Sequence, residues 1–228
     1  MKIESTGKVQ YKIYTFLCML YAVILAETFT LMFKLIAVGS ILESGAILFI
    51  PVMYMIEDMI AEVYGFKAAR RLIFWSVITS LIYCLMIKLT VKIPSPDYWQ
   101  HQGAFNFVLG SMGTEFVFAV ISMIGGELLN IYLVSRWKSL LQGKHFWIRS
   151  IIATSIGELF QSIVVYVGNF HNFLSLSGVE RLIISAYLYK VAAAVFLVIP
   201  AVVLVRVLKN IEGVDVYDNR VAFNPFKI

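Results

Sequence analysis

Charged residues are scarce in this chain. Asp, Glu, Lys and Arg together make up 14% of the 228 residues, whereas hydrophobic residues make up 60%. A soluble globular domain carries about 25% charged residues, so the composition excludes an ordinary soluble domain. The net charge of +5 is best interpreted through its placement between apolar runs, and no nucleic-acid partner is expected.

Cysteine and histidine are rare as well. Cys18 and Cys84 both fall within apolar runs, which argues against a disulfide framework. The histidines, His101, His145 and His171, lie in loops or at the ends of runs. The sequence also lacks metalloprotease, serine-hydrolase and phosphate-loop motifs. We therefore expect no enzymatic activity, no cofactor and no metal centre.

The chain has six apolar runs instead, each about twenty residues long, which is the length that crosses the hydrocarbon core of a bilayer. These runs predict an all-α membrane protein, a bundle of six transmembrane helices that forms one domain over residues 1–228. The first run is too long for the core of a signal peptide and is expected to be retained. The predicted spans are residues 13–33, 45–65, 72–93, 114–134, 148–168 and 182–207.

Basic residues are concentrated on alternate connections between the runs. Most of the 19 Lys and Arg residues lie before the first run, between the second and third, between the fourth and fifth, and after the sixth. The positive-inside rule places such segments in the cytoplasm. The sequence therefore predicts that both termini are cytoplasmic, as an even number of spans requires.

Two of the runs carry the same pattern of an acid followed by an amide. GELLNIY contains Glu127 and Asn130, and GELFQSI contains Glu158 and Gln161. Each acid lies about nine residues, or about 13 Å, from the basic residues that mark the cytoplasmic boundary. Half of a roughly 30 Å core is about 15 Å, so both carboxyl groups are predicted at the middle of the membrane.

These acid and amide pairs have two interpretations. The glycines that precede the acids predict a close approach of two helices, so the pairs can simply bond the helices together. An acid inside a membrane is costly, however, and by default faces a binding site or a wet cavity. We favour a site in which Glu127 and Glu158 contact one ligand while Asn130 and Gln161 orient it.

Two further charges lie inside predicted spans. Glu27 and Lys190 are predicted at equal depth, about 22–24 Å from the cytoplasmic boundary, and their opposite signs predict an ion pair. Such a pair either closes the outer end of the bundle or contacts substrate, and the sequence leaves both roles open. Glu27, Glu127 and Glu158 supply three negative charges inside the spans, against the single positive charge of Lys190. This excess of acid favours protonation of a carboxyl group, a bound cation or a ligand rich in N–H donors.

The second run, GAILFIPVMYMIEDMIAEVYGFKAARR, becomes acidic in its second half. Pro51 is expected to kink it, and Asp58 and Glu62 share a helix face. Periodicity alone favours an ordinary charged helix end, with these acids and Glu57 offset by nearby basic residues. Those basic residues are Lys67, Arg70 and Arg71.

EDMIAEVYGFKAARR resembles the signature of the queuosine precursor transporter family, which is part of the vitamin uptake transporter superfamily. The matching positions are Asp58, Glu62, Tyr64, Gly65, Ala69 and Arg70. FWIRSIIATSIGELFQS is similar to a second family stretch, and the last span has two further matches. These matches are Trp147, Arg149, Thr154, Leu159, Lys190 and Pro200.

The chain departs from the family pattern at the two acid and amide pairs. The family commonly carries Gln-x-x-Asp in both helices, so acid and amide have exchanged places here while the set of groups is kept. The resemblance implies a transporter in a bacterial inner membrane that imports 7-cyano- or 7-aminomethyl-7-deazaguanine. A carboxylate suits the N–H donors of such a purine-like substrate, and an amide suits its oxygen.

The leading prediction is a secondary carrier, with proton coupling as one option. The alternative is the substrate-binding subunit of an energy-coupling-factor vitamin transporter, which has a related six-helix architecture. Ala22 and Ala26 form a small-xxx-small pair that suits a partner helix, although such pairs are common. The expected partners are the substrate and the lipid bilayer, and the oligomeric state stays open, a homodimer included.

Overall fold

The computed structural model describes residues 11–32, 34–38, 41–110, 114–171 and 174–218, in which helices dominate. Six helices form the bundle, and a seventh, short helix lies on its surface. The bundle helices are α1 (Tyr14–Leu31), α2 (Ile50–Tyr64), α3 (Phe66–Lys92), α5 (Thr114–Leu140), α6 (Phe146–Phe170) and α7 (Leu176–Glu212). The surface helix is α4 (Gln102–Leu109), which has no buried residue and occupies the connection before the fourth predicted span.

Five of these helices are long and apolar enough to cross a membrane: α1, α3, α5, α6 and α7. They make the chain a multi-pass membrane protein, and they coincide with five of the six predicted spans. The cytoplasmic location of the termini stays a prediction. Of the basic residues at the two ends of the chain, Lys2, Lys8, Arg220 and Lys227 lie outside the described residues.

The second predicted span, residues 45–65, is not among the helices of the described residues that are long enough to cross a membrane, so the sixth span stays a prediction. Gly45–Leu48 forms a 3₁₀ turn, and Pro51 lies in the first turn of α2 rather than at a kink. The 15 residues of α2 cover about 22 Å, which is short of the roughly 30 Å core. Nearly every side chain of α2 is buried, so this helix lies inside the bundle, surrounded by its neighbours.

An antiparallel hairpin joins α1 to α2. Strands β1 (Leu35–Val38) and β2 (Ile41–Ser44) pair with Leu35 opposite Ser44. The Ser44 hydroxyl accepts a hydrogen bond from the Ala46 amide and donates one to the Met32 carbonyl. The all-α prediction therefore describes the bundle but missed this hairpin, which Ser44 anchors at both sides.

The largest helix interface joins α5 and α6. Gly126 and Gly157 meet there: a Cβ on Gly126 would lie 2.8 Å from the Gly157 carbonyl oxygen, and one on Gly157 would lie 2.7 Å from that of Gly126. Glycine is required at both positions because any side chain would push the backbones apart. The predicted close approach of the two helices is confirmed.

The segment after α7 returns to the bundle and packs on the junction between α2 and α3. Gly65, with φ of 87°, lets the chain turn sharply there. The Val216 amide donates to the Val63 carbonyl at 3.1 Å, and the Phe66 amide donates to the Asp218 carboxylate at 2.6 Å. These bonds tie residues 213–218 to the end of the bundle at which α1 begins.

Candidate functional site

A cavity of about 430 Å³ lies among α1, α2, α5, α6, α7 and the hairpin. Its described lining comes from the half of each helix farther from the segment after α7. The apolar wall includes the aromatic rings of Phe29, Tyr166 and Phe170, and the last two rings stack 6.0 Å apart. The volume falls within the range of about 300–1,000 Å³ that is typical of small-molecule sites.

Three polar residues of the cavity wall were predicted from the sequence: Glu127, Gln161 and Lys190. Glu127 is completely buried, and its carboxyl group forms no ion pair with a basic side chain of the described residues, whereas that of Glu158 meets Lys190. The Lys190 ammonium donates to Gln161 Oε1 at 2.9 Å. The cavity wall thus includes a carboxyl group without a cationic partner among the described residues, beside an oriented amide.

Lys190 also pairs with Glu158, at 2.8 Å, and this contact corrects the predicted partner. Glu27 is exposed on α1 and does not line the cavity, so the predicted ion pair between Glu27 and Lys190 is wrong. Equal depth does not fix rotation about a helix axis. The face of α1 that points inward carries Tyr21, Leu25 and Thr28, and Glu27 lies beside that face.

Two of the four predicted ligand contacts, Glu158 and Asn130, do not line the cavity. Glu158 is fully buried behind Lys190 and does not line the cavity. Asn130, expected to orient the ligand, instead donates from Nδ2 to Asp58 Oδ1 at 2.7 Å. Of the two amides, only Gln161 reaches the cavity.

Asp58 is the centre of a buried hydrogen-bond network. Its carboxylate accepts from Asn130, from the Ser150 hydroxyl and, at 3.3 Å, from the Thr154 hydroxyl. Three donors satisfy a buried carboxylate without a cation. Asp58 therefore links α2, α5 and α6 just below the cavity without lining it.

Glu62 belongs to a different group of charges at the end of the bundle where the last segment packs. We call Glu62, Lys138, Arg149, Lys209 and Asp215 the tail-end cluster. Glu62 meets Arg149 at 3.0 Å and Lys209 at 2.8 Å. The basic partners of this buried acid are therefore on α6 and α7, rather than the neighbouring basic residues of the same run.

The last segment completes the tail-end cluster. Lys138 and Lys209 meet Asp215 at 2.5 and 2.9 Å, and the Lys138 ammonium lies 4.4 Å from the centre of the Tyr217 ring. Partial burial raises the pKa of Asp215, but the hydrogen bonds from the two lysines outweigh burial and hold that pKa below its ordinary value. Every charge of the cluster has a partner of opposite sign.

Sequence reasoning missed several polar residues of this region. Glu43, on the hairpin, lines the cavity and accepts hydrogen bonds from Tyr166 at 2.7 Å and Ser185 at 2.8 Å. No pattern could have found Glu43, because it lies outside any predicted span. Ser150 was detectable, since it precedes Thr154 and Glu158 at helical spacing and so extends one polar stripe along α6.

Comparison with known proteins gives one match. The family model described as "Putative vitamin uptake transporter" matches residues 44–205, which include α2, α3, α5, α6 and most of α7. The matched range contains Glu127, Gln161 and Lys190 of the cavity wall, whereas Glu43 lies just before it. No curated protein and no solved structure shows a significant match to the chain.

Proposed function

The chain belongs to the vitamin uptake transporter family, and from this premise we propose that it imports 7-deazaguanines, the precursors of queuosine, as a secondary carrier. The membership rests on the match over residues 44–205. The proposed substrate rests on the likeness of the second-run motif to queuosine precursor transporters and on the chemistry of the cavity. We also place the protein in a bacterial inner membrane with both termini cytoplasmic.

One observation supports the proposal: the buried carboxyl group of Glu127, which has no cationic partner among the described residues, on the wall of an aromatic cavity. A buried carboxylate without a cation is costly, and a ligand with adjacent N–H donors lowers that cost when it binds. The N1 and 2-amino groups of a deazaguanine are such donors. Its flat ring suits the faces of Phe29, Tyr166 and Phe170.

The neighbours of Glu127 suit the rest of the substrate. Gln161 is held by Lys190 through Oε1, which leaves the amide nitrogen of Gln161 as a donor for the purine oxygen. The charge of Lys190 is offset by Glu158, whereas Glu127 and Glu43 both lie on the cavity wall. The wall is therefore net acidic, which favours the cationic 7-aminomethyl compound over the neutral 7-cyano compound.

The position of the cavity suits uptake. Its described lining lies in the half of the bundle away from the tail-end cluster, and that cluster closes the other end with paired charges. With cytoplasmic termini, the cavity faces the outer half of the membrane. A substrate from outside would then bind before the tail-end cluster has to open.

The proposal is tested by thermal unfolding of the purified protein with a panel of purines, deazapurines and vitamins. Only a compound that binds the folded state raises the unfolding temperature. We expect 7-aminomethyl-7-deazaguanine to give the largest rise, the 7-cyano compound a smaller one, and riboflavin or biotin none. A rise with a vitamin but not with deazaguanines would contradict the proposed substrate.

The same protein in liposomes tests the alternative function, the substrate-binding subunit of an energy-coupling-factor transporter. A subunit of that kind needs an ATPase module, whereas a secondary carrier does not. We expect the purified chain alone to transport the 7-aminomethyl compound. Transport only after addition of an ATPase module would favour the subunit.

A further inference from the structure

The hairpin contributes a second acid to the cavity wall. Glu43, on β2, lines the cavity and is only 5% exposed, whereas connections between helices usually lie at the surface. Its Oε2 accepts a hydrogen bond from the Tyr166 hydroxyl at 2.7 Å, and its Oε1 accepts one from the Ser185 hydroxyl at 2.8 Å. The carboxylate is therefore held between α6 and α7 with one donor on each oxygen.

These two contacts orient Glu43 but do not cancel its charge. Both donors are neutral hydroxyls, and Glu43 forms no ion pair with a basic side chain of the described residues. A carboxylate offers about four acceptor sites, two on each oxygen, so each oxygen keeps one for a ligand. Hydrogen bonds between oppositely charged groups are the strong ones, so the ligand group that gains most at Glu43 is a cation with N–H donors.

The described residues supply neither a spare cation nor a metal site for Glu43. The cation of the described cavity wall, Lys190, already meets Glu158 at 2.8 Å and Gln161 at 2.9 Å. The described residues also contain no group of three or more His, Cys, Asp or Glu side chains placed to hold a metal ion. A primary ammonium group of a ligand is therefore the cation that suits this carboxylate.

The position of Glu43 follows from its two donors. Tyr166 lies five residues after Gln161 on α6, and Ser185 lies five residues before Lys190 on α7. Since Glu43 bridges Tyr166 to Ser185 while Lys190 meets Gln161, α6 and α7 run antiparallel here and both steps lead the same way. At a rise of 1.5 Å per residue, Glu43 is held about 7.5 Å along the bundle from Gln161.

Glu127, by contrast, lies at the level of Gln161. A Cβ on the neighbouring Gly126 would lie 3.3 Å from the Gln161 Cβ, so this part of α5 packs against Gln161. The cavity therefore has two acidic positions at different depths, Glu127 beside the amide and Glu43 on the hairpin. A ligand that spans both positions contacts them with different groups.

We propose that Glu43 is the ammonium-binding residue of the cavity and selects substrates that carry a primary amine on the ring. This inference rests on the proposed function, in which Glu127 binds the N1 and 2-amino edge of a deazaguanine and Gln161 binds its oxygen. The 7-substituent lies on the oxygen side of the ring, away from the 2-amino group. A ring oriented in this way directs an aminomethyl group past Gln161 toward Glu43. A 7-cyano group has neither charge nor donor and gains nothing from this contact.

Equilibrium binding of the two 7-deazaguanines to purified variants at pH 7 tests the role of Glu43. Glu43→Gln nearly keeps the size of the side chain and removes its charge. We expect it to weaken binding of the 7-aminomethyl compound by about tenfold to a hundredfold and to change binding of the 7-cyano compound by less than about twofold. Glu127→Gln should weaken both compounds, and Glu27→Gln, the exposed control, should weaken neither. Equal loss of both compounds in Glu43→Gln, or an unchanged preference for the amine, would overturn the proposal.

Two further measurements separate recognition from a purely structural role of Glu43. Tyr166→Phe removes a hydrogen bond to Glu43 but keeps the charge, so the preference for the amine should persist. If Glu43 only anchored the hairpin, Tyr166→Phe and Glu43→Gln would each weaken both compounds alike, which would overturn the proposal. The second measurement needs wild type alone: the uncharged 7-hydroxymethyl compound, which is close in size to the amine, should bind about tenfold more weakly. Equal binding of amine and alcohol would also overturn the proposal.

A failure of the proposed function is distinguished with simpler probes. If wild type binds neither deazaguanine, the proposed substrate fails, and thermal unfolding with benzylamine and benzonitrile then decides the role of Glu43. These probes carry the aminomethyl and cyano groups on a plain aromatic ring. We expect benzylamine to raise the unfolding temperature of wild type more than benzonitrile does, and Glu43→Gln to lose this difference. No difference in wild type, or a difference that persists in Glu43→Gln, would overturn the proposal.

Discussion

In the tail-end cluster, the carboxylate of Glu62 meets Arg149 at 3.0 Å and Lys209 at 2.8 Å, whereas that of Glu127 has no cationic partner among the described residues. Both side chains are fully buried, so burial alone does not separate them. A buried acid with cations in place holds helices together, and its loss weakens the fold. A buried acid without a cation destabilises the fold until a ligand or a proton arrives.

The largest effect is expected from Arg149→Met. This change leaves Glu62 with Lys209 alone and removes hydrogen bonds from Arg149 to three backbone carbonyls. Breaking a buried pair from one side costs about 3–5 kcal/mol, so the free energy of unfolding in detergent should fall by about that amount. Adding Glu62→Leu should restore part of the loss. An unchanged unfolding temperature in the single variant would show that the cluster does not hold the bundle closed.

Asp58→Asn should have the next largest effect. The new amide nitrogen would face hydroxyl or amide donors where a carboxylate oxygen now accepts, and an unsatisfied buried group costs about 1–3 kcal/mol. Substrate binding should fall less than in Glu127→Gln, since Asp58 does not line the cavity. Thermal unfolding and ligand titration of the two variants check this order. Weaker binding in Asp58→Asn than in Glu127→Gln would indicate that the substrate binds closer to Asp58 than to Glu127.

Tyr166→Phe should have a smaller, local effect on the hairpin. It removes one of the two hydrogen bonds that hold Glu43 against α6 and α7, a loss of about 1 kcal/mol. Amide hydrogen exchange in β2 should become faster, by about fivefold, while Tyr187→Phe on α7 should leave it unchanged. Equal exchange in both variants would mean that Glu43 does not secure the hairpin.

Asp215→Asn should give the smallest effect, because Asp215 is partly exposed and the pair is screened by solvent. The lysines hold the folded-state pKa of Asp215 below its ordinary value, so its stabilising contribution is present above about pH 4 and is lost as pH falls through the folded-state pKa. Wild type should therefore exceed Asp215→Asn in unfolding temperature at pH 6, and the difference should shrink toward pH 3. A difference that grows on acidification would have the wrong sign for this pair.

Apolar run length predicted five membrane-crossing helices, because length and hydropathy determine insertion directly. The same criterion does not settle α2, whose side chains are nearly all buried against other helices, since hydropathy does not distinguish a protein interior from lipid. Paired glycines predicted the close approach of α5 and α6, which the contact of Gly126 with Gly157 confirms. The depth of Glu127 and Glu158 in the membrane stays a prediction.

The partners of the charged side chains could not be predicted in the same way. Lys190 meets Glu158 rather than Glu27 because the rotation of α1 depends on packing that no local pattern records. Asn130 turns to Asp58 because α2 lies inside the bundle, which the sequence did not indicate. The resemblance marked Asp58 and Glu62 together, yet the structure places them in two separate networks.

Equilibrium binding of 7-aminomethyl-7-deazaguanine to purified wild type and Glu127→Gln tests the central claim most directly, which is that the carboxyl group of Glu127 in the cavity recognises the substrate. We expect Glu127→Gln to weaken binding by about tenfold to a hundredfold, the cost of about 1.5–3 kcal/mol for a hydrogen bond to a charged group, with an unfolding temperature equal to or above wild type. Glu27→Gln should bind as wild type does. Unchanged affinity in a folded Glu127→Gln protein would contradict the account and return the acid and amide pairs to a purely structural role between helices.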